Sequence, residues 1–457
     1  MLTIFERTWS LAESRPGPSA ISAKGCGAPH SQSGYAVGVS LRPLQLCLIA
    51  SLALASLAKA EIHVRAEGRV IQDSNVFLQD EAAPLAVGQT VRTAPAGADD
   101  QEFVALLGFT ARHAPSASGG RFSGEIDYAA EWHRFARFID ESHLDHRVNL
   151  AAKGTVGEWL AEAKACVLHI DGSDQSPIYN EEGGQPAMAA DPVRSRRAQT
   201  LTTGAASLVW PAGPTWRARA TATLLNQDFH TLHDPVFGCA NYVDRGQAIG
   251  GIEIGRAFRP EVSGWFAFRA GRQWQENLFG LPMNFSNTIV RPLFGVEGKL
   301  HPTLRLSAFA GPDFRRFTNE RLAGTPERRT LPFVEVAAAW TPRKSDSVTA
   351  NYRQQLWLGS SSRSAYREIK ADLAWTHRFD AFELTTRATV LSGDFGGYSP
   401  APRDDRVWTL GASVARTFAG FRGELGLTRE CGETFVPETR GRAYHRWLAT
   451  AALSHKW

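Results

Sequence analysis

From Glu61 to Trp457 the chain repeats stretches of 10–14 residues in which apolar and polar side chains alternate one for one. A period of two marks a β-strand, whose side chains point to opposite faces in turn, and no helical i, i+3, i+4 stripe competes with it. Phe122, Gly124, Ile126, Tyr128, Ala130 and Trp132 share one face, while Ser123, Glu125, Asp127 and Glu131 share the other. The split recurs with Val290, Pro292, Phe294 and Val296 against Arg291, Glu297 and Lys299, and with Leu304, Leu306, Ala308 and Ala310 against Arg305, Ser307 and Asp313. It recurs again with Ile369, Ala371, Leu373 and Trp375 against Glu368, Lys370 and Asp372. Strands of soluble proteins run to about 5–6 residues, whereas a tilted strand needs about 9–11 to cross a bilayer. These stretches have the longer length.

The connections alternate in length as the strands alternate in direction. Tight ones fall at Gly154-Thr155-Val156-Gly157, Ala212-Gly213-Pro214, Arg259-Pro260-Glu261, His301-Pro302, Pro342-Arg343-Lys344-Ser345, Asp380-Ala381 and Ala419-Gly420, where Gly, Pro and Asp supply turn geometry. Longer polar segments lie between them, at 79–100, 172–195, 230–239, 276–285, 316–329, 395–405 and 431–442. Strands are expected to start near residues 61, 101, 121, 144, 157, 197, 215, 244, 263, 286, 303, 330, 346, 364, 382, 406, 421 and 443. The pattern predicts an all-β fold: a transmembrane antiparallel up-and-down β-barrel of about 18 strands (16–18), with both termini on the periplasmic side and no plug domain. A terminal aromatic, Trp457, closes the last alternating strand, as in the signal by which barrel assembly machinery recognises outer-membrane barrels; His455 interrupts it.

Composition alone would suit a soluble enzyme, with 43% hydrophobic and 21% charged residues. The averages conceal the alternation, because greasy and charged faces dilute each other. They do exclude other classes. No apolar run after residue 60 approaches the roughly 18 residues of a spanning helix. Fifty basic against 46 acidic residues, a net charge of +4, is too slight an excess for nucleic-acid binding. The 13 Trp and 25 Phe suit aromatic girdles at two membrane interfaces, with Trp210, Trp216, Trp340, Trp357, Trp408, Phe258, Phe379, Phe418 and Phe421 near strand ends.

Residues 44–58, the most hydrophobic segment, follow Arg42 and end in Ala58-Lys59-Ala60, an A-x-A cleavage pattern. Residues 41–60 therefore read as a signal peptide cleaved after Ala60; the weaker reading is a buried helix. Residues 1–40 read as an upstream extension, disordered or outside the native chain, with translation starting at a codon such as that of Val37, Val39 or Leu41. Residues 61–457 are the barrel, in the bacterial outer membrane. Cleavage leaves Cys166, Cys239 and Cys431, too few and too scattered for a disulfide framework or metal site, although Cys239 and Cys431 both fall in predicted outer loops and could pair.

An 18-stranded barrel is wide enough for an aqueous channel unless something fills it. The inner face carries Arg65, Arg69, Lys153, Lys164, Arg217, Arg219, Arg269, Arg291, Arg305, Arg353, Arg387 and Arg422 against Glu67, Glu125, Asp127, Glu162, Glu253, Glu297, Glu368, Asp372 and Glu424. Two arrangements are open. Rows of opposite sign on facing walls would order water and polar solutes, or neighbouring charges would pair and keep the wall wet. The candidate solute contacts are Arg217, Arg219, Arg269, Arg291, Arg305, Glu125, Asp127, Glu297, Glu368 and Asp372, with Arg217 and Arg219 best placed for an anionic or sugar-like solute.

No Ser/His/Asp order or Gly-rich phosphate loop can be read from the chain, so no catalytic residues, cofactor or metal are assigned. Asp140, Glu141, His143, Asp145 and His146, and His230, His233 and Asp234, could each hold a divalent ion, but both groups fall in predicted outer loops, where polar residues are expected anyway. Asp171-Gly172-Ser173-Asp174 has a faint calcium-loop look.

The element Asp73-Ser74-Asn75-Val76-Phe77-Leu78 resembles the D-S-N-[IV]-[FL] element of the β-barrel porin 2 family. That resemblance implies a large outer-membrane barrel for passive transport or for exopolysaccharide and capsule export. The expected function is a porin-like channel passing small hydrophilic solutes or assisting surface-polysaccharide export, in contact with outer-membrane lipid. The alternatives are a membrane-embedded lipid-modifying enzyme, or a structural or adhesive barrel acting through loops such as 172–195.

Overall fold

The computed structural model describes residues 60–76, 99–113, 122–172, 198–230, 243–277, 284–318, 327–359, 365–396, 404–435 and 443–457. Residues 1–59, which hold the upstream segment and all of the proposed signal peptide but Ala60, lie outside the described residues. Eighteen antiparallel strands follow one another in chain order: β1 (Glu61–Asp73), β2 (Asp100–His113), β3 (Phe122–Phe135), β4 (His143–Val156), β5 (Trp159–Asp171), β6 (Gln199–Pro211), β7 (Trp216–Phe229), β8 (Arg245–Arg259) and β9 (Val262–Gln275) complete one half. The other half is β10 (Asn287–His301), β11 (Leu304–Phe317), β12 (Arg328–Trp340), β13 (Asp346–Leu358), β14 (Ala365–Arg378), β15 (Glu383–Asp394), β16 (Asp404–Phe418), β17 (Phe421–Phe435) and β18 (Ala443–Lys456). Each strand pairs with its two chain neighbours, and β1 pairs with β18, so the sheet closes. Every strand starts within two residues of its expected position.

The alternating pattern decides the two surfaces. The outward face is greasy, with Leu107, Ile252, Phe294 and Leu425 more than 60% exposed. An apolar band of that extent would be unstable in water and fits a bilayer. Trp210, Trp216, Trp340, Phe258, Phe379, Phe418 and Phe421 are exposed at the end of the barrel with the short turns. At Ala419-Gly420 both residues have positive φ (48° and 83°), the geometry of a two-residue hairpin whose twist matches its strands.

The D-S-N element binds the two ends of the sheet together. Arg446 on β18 donates from Nε and Nη2 to the Asp73 carboxylate at 3.0 and 2.6 Å. The Ser74 N–H donates to the Trp447 carbonyl at 3.0 Å and the Trp447 N–H returns to Ser74 Oγ at 2.7 Å. Asn75 Nδ2 donates to the His445 carbonyl at 2.9 Å. Phe77 and Leu78, which complete the element, lie outside the described residues.

A second seam is built in the opposite way. β12 pairs with β13 only from Val334 opposite Gln354 to Trp340 opposite Val348, whereas β11 follows β12 out to Arg316 opposite Arg328. The Phe317 N–H donates to the Glu327 carbonyl at 3.0 Å, which fixes which residues of β11 and β12 bond to each other. On that alternation the N–H positions of even-numbered β12 residues face β13. Pro332, which has no N–H, occupies one of them, opposite where Leu356 would stand. Pro292 and Pro312 face each other in the same way across β10 and β11, and that ladder is interrupted from Arg291 to Leu293. Gly311 permits the close approach there, because a Cβ would stand 2.3 Å from the Pro292 carbonyl oxygen.

Candidate channel constriction

Beyond Gln354 β13 parts from β12, and the tip of the β13–β14 hairpin bends into the barrel. β13 and β14 remain paired to their ends, Leu358 opposite Ala365, and β14 stays paired with β15 from Arg367 opposite Asp394, so the hairpin is parted from the wall only on its β12 side. Its carbonyls are held by side chains from the inner faces of β8, β9 and β11. Gln273 Nε2 and Arg315 Nη2 donate to the Leu356 carbonyl at 3.2 and 3.3 Å, Gln275 Nε2 donates to the Gly359 carbonyl at 2.8 Å, and Arg245 donates to the Leu358 carbonyl. Leu356 and Leu358, which would face lipid in an uninterrupted strand, pack instead on Phe285, Phe317 and Leu331 and are fully buried. On the hairpin's other face Tyr366 stacks on Phe395 at 5.0 Å, with Trp357 against them. Trp357, assigned to a membrane girdle by its place near a strand end, falls between Leu356 and Leu358 in the alternation, on the inward face, and so belongs to the lumen side of the wall.

The donors are themselves fixed. Arg315 spans Asp313 Oδ1 and Oδ2 at 2.8 and 2.7 Å and donates to Gln273 Oε1 and Asn287 Oδ1, both at 2.7 Å. Arg245 donates to Gln227 at 2.8 Å. A fully hydrogen-bonded cluster of this kind is rigid, because each group moved would leave a buried partner unsatisfied.

Below the hairpin, towards the short turns, Trp265, Ala267, Leu293, Phe309 and Phe333 of β9 to β12 form an apolar layer on the inner wall. Guanidinium groups cover it: Arg219 lies 4.3 Å from the Trp265 ring centre, Arg269 lies 4.8 Å from that of Phe309, and Arg291 lies 4.2 Å from that of Phe333. Such contacts are worth about 0.5–2 kcal/mol each. At the long-loop end, inward residues are buried on strands around the whole barrel, among them Asp73, Glu102, His133, Gln199, Gln227, Asn287, Asp405, Glu430 and Tyr444. In the half nearer the short turns, inward residues such as Lys164, Asp127, Arg217 and Asp372 are partly exposed. The lumen is therefore narrower at the long-loop end and on the β8–β12 side than elsewhere.

Five of the ten candidate solute contacts, Arg219, Arg269, Arg291, Glu297 and Glu368, are taken up in close ion pairs along the wall. Arg219 Nε donates to Glu253 at 2.6 Å and its Nη1 to Glu297 at 2.8 Å, while Arg269 bridges Glu253 at 2.9 Å and Glu335 at 3.3 Å. Arg291 pairs with buried Asp313 at 3.1 Å, and Glu368 accepts Arg353 at 2.8 Å. These partners lie on the same wall, so these charges pair with neighbours and do not form facing rows. Among the described residues, Arg217 and Arg305 make no side-chain ion pair and face the lumen. Glu125 pairs with Arg112 at 2.8 Å, Asp127 accepts Thr110 and Asn149, and Asp372 accepts Thr389 at 3.0 Å; all three stay partly exposed.

Several expected loop residues are strand residues. His143, Asp145 and His146 begin β4, with His143 and Asp145 pointing inward and His143 stacked on His133 at 5.6 Å. Cys431 lies in β17, buried, with His445 Nδ1 3.0 Å from its sulfur, and Cys239, His233 and Asp234 lie outside the described residues. The hairpin latch itself, Arg245, Gln273, Gln275 and Arg315, was not foreseen.

No family model matches the chain, and no curated protein matches its sequence. Among solved structures, the outer membrane protein opdK from Pseudomonas aeruginosa is similar at 11% identity over 87% of this chain and 99% of that one, with a TM-score of 0.39. OccAB3 from Acinetobacter baumannii matches at 8% identity over 88% and 100%, with a TM-score of 0.40. The FrpB iron transporter from Neisseria meningitidis (F3-3 variant) matches at 12% identity over 89% and 83%, with a TM-score of 0.42.

Proposed function

We propose that this protein is a channel of the bacterial outer membrane that passes small hydrophilic solutes through an aperture set by the infolded β13–β14 hairpin. The observation that carries this reading is a closed 18-stranded barrel, greasy outside and lined with partly exposed charges inside, with a fixed narrowing near its long-loop end. Short turns would face the periplasm and long connections the outside. Arg217 and Arg305, together with Asp127 and Asp372, are the wall groups placed to meet a solute. The narrowing favours small solutes over a polymer strand. Export by a signal cleaved after Ala60, and insertion through the last strand ending at Trp457, belong to the same reading. The test is liposome swelling with a size series of neutral and charged solutes. Permeation that stops at a small size supports the proposal; no permeation by any solute sinks it.

A further inference from the structure

The lipid-facing side of β9 to β12 carries, at the long-loop end, a row of arginines. In register across the sheet, Arg272 on β9 stands opposite Thr288 on β10, Thr288 opposite Arg316 on β11, and Arg316 opposite Arg328 on β12. All four residues face outward and are exposed. Arg316 and Arg328 are direct cross-strand neighbours, an arrangement of like charges that is destabilising without a counter-charge. Glu327 supplies one to Arg316, at 2.9 Å. Among the described residues, one carboxylate pairs with these three guanidinium groups, which leaves the patch positive. Towards the membrane centre the same face turns apolar at once: Val290 and Phe314, two residues below Thr288 and Arg316, are exposed, and Phe294 is 71% exposed. A basic row above an apolar face matches an anionic lipid, its headgroup phosphate at the arginines and its chains along the strands. Adjacent strands are about 4.8 Å apart, so Arg272 and Arg316 are separated by about 10 Å and could engage two phosphates of one headgroup. The patch also borders the place where β13 leaves the wall, and the outward residues Arg328, Thr330 and Pro332 along that edge are exposed.

We infer that Arg272, Arg316 and Arg328 form a site for the phosphate groups of an outer-leaflet glycolipid. The inference rests on the orientation given under Proposed function, but its failure is separable, because none of the three residues lines the lumen.

The experiment is native mass spectrometry of the full-length folded protein in detergent, titrated with diphosphoryl lipid A, its dephosphorylated form, phosphatidylethanolamine or inorganic phosphate. Diphosphoryl lipid A should bind the unaltered protein and resist competition by millimolar inorganic phosphate. Arg272→Gln, Arg316→Gln and Arg328→Gln combined should weaken it about a hundredfold, and lysine at all three positions should restore most of the affinity. Arg134→Gln, an exposed outward position on β3, should change nothing, and liposome permeation should be the same in every variant. Equal binding of dephosphorylated lipid A, or unchanged binding by the triple glutamine variant, would overturn the inference, and full displacement by inorganic phosphate would reduce the site to an anion site without lipid. Should the triple variant not fold, Arg328→Gln alone must weaken binding by about fivefold, and no change there counts equally against it.

Discussion

The barrel has two unusual seams, and they are made in opposite ways. Between β1 and β18 the ends of the chain meet, and the outer part of the junction is bound by Asp73, Ser74 and Asn75 gripping Arg446, Trp447 and His445. Between β12 and β13, neighbours in sequence, the outer part of the junction is given up, and the β13–β14 hairpin bonds to strands β8, β9 and β11 instead. Chain continuity therefore does not decide where this wall is tight. Side-chain donors do: a bidentate Arg446–Asp73 pair closes one seam, and Gln273, Gln275, Arg245 and Arg315 draw the hairpin away from the other. The first seam holds the barrel closed; the second, on the proposed function, sets its aperture.

The largest effect is expected at the closure. Arg446→Ala leaves Asp73 buried without its guanidinium, a loss of about 3–5 kcal/mol. It should appear as a large drop in the temperature at which the detergent-folded barrel unfolds on a semi-native gel. Replacing both residues together, Asp73→Asn with Arg446→Gln, should recover part of the loss. If Arg446→Ala unfolds at the parent's temperature, the D-S-N element is not a clasp.

A smaller effect separates the two possible causes of the open seam. Pro332→Thr supplies the missing N–H towards β13, but one hydrogen bond is worth about 0.5–1.5 kcal/mol. That is less than the four side-chain bonds and the buried Leu356 and Leu358 hold. The hairpin should stay inside and single-channel conductance should not change. A wide-open Pro332→Thr channel would mean that the proline, and not the latch, positions the hairpin.

The smallest effect concerns the rim next to the latch. Asp244, just before β8, has its carboxyl pushed up from 3.8 to about 7, by burial first and then by the nearby Glu276 and Asp228, although the Phe229 N–H opposes the shift. A folded pKa above the unfolded one means that the unfolded chain releases its proton first. Stability from this group is full below about pH 4, falls as the pH rises to about 7 and is flat above. Asp244→Asn should flatten that decline and raise the unfolding temperature at pH 8 by about 1–2 °C. An unchanged pH profile would remove Asp244 from the account.

The wall was legible in the sequence because alternation is local: Phe122 to Trp132 shows its two faces without reference to any other strand. The inner positions followed from the same rule, and Arg219, Arg269 and Glu297 lie on the face expected of them. Their partners did not, since which charges meet depends on register across strands as distant as β7 and β10. The infolded hairpin was hidden by the pattern that exposed the rest. Leu356 and Leu358 continue the alternation as if to face lipid, and the side chains that hold their carbonyls lie 41 to 113 positions away. One local signal was present in Pro292, Pro312 and Pro332, spaced twenty apart, each at a position where a central strand would need its N–H. Nothing local marked Gln273 and Gln275 as latch residues, because glutamine on an inner face looks like any other wetted wall residue.

The direct measurement is the single-channel conductance of the unaltered protein in a planar bilayer, set beside that of a protein carrying Arg245→Gln, Gln273→Ala and Gln275→Ala. A small, steady conductance in the first and a clearly larger, noisier one in the second is the predicted result, because the hairpin would be released from the lumen. Equal conductances in two folded barrels would show that the hairpin does not set the aperture.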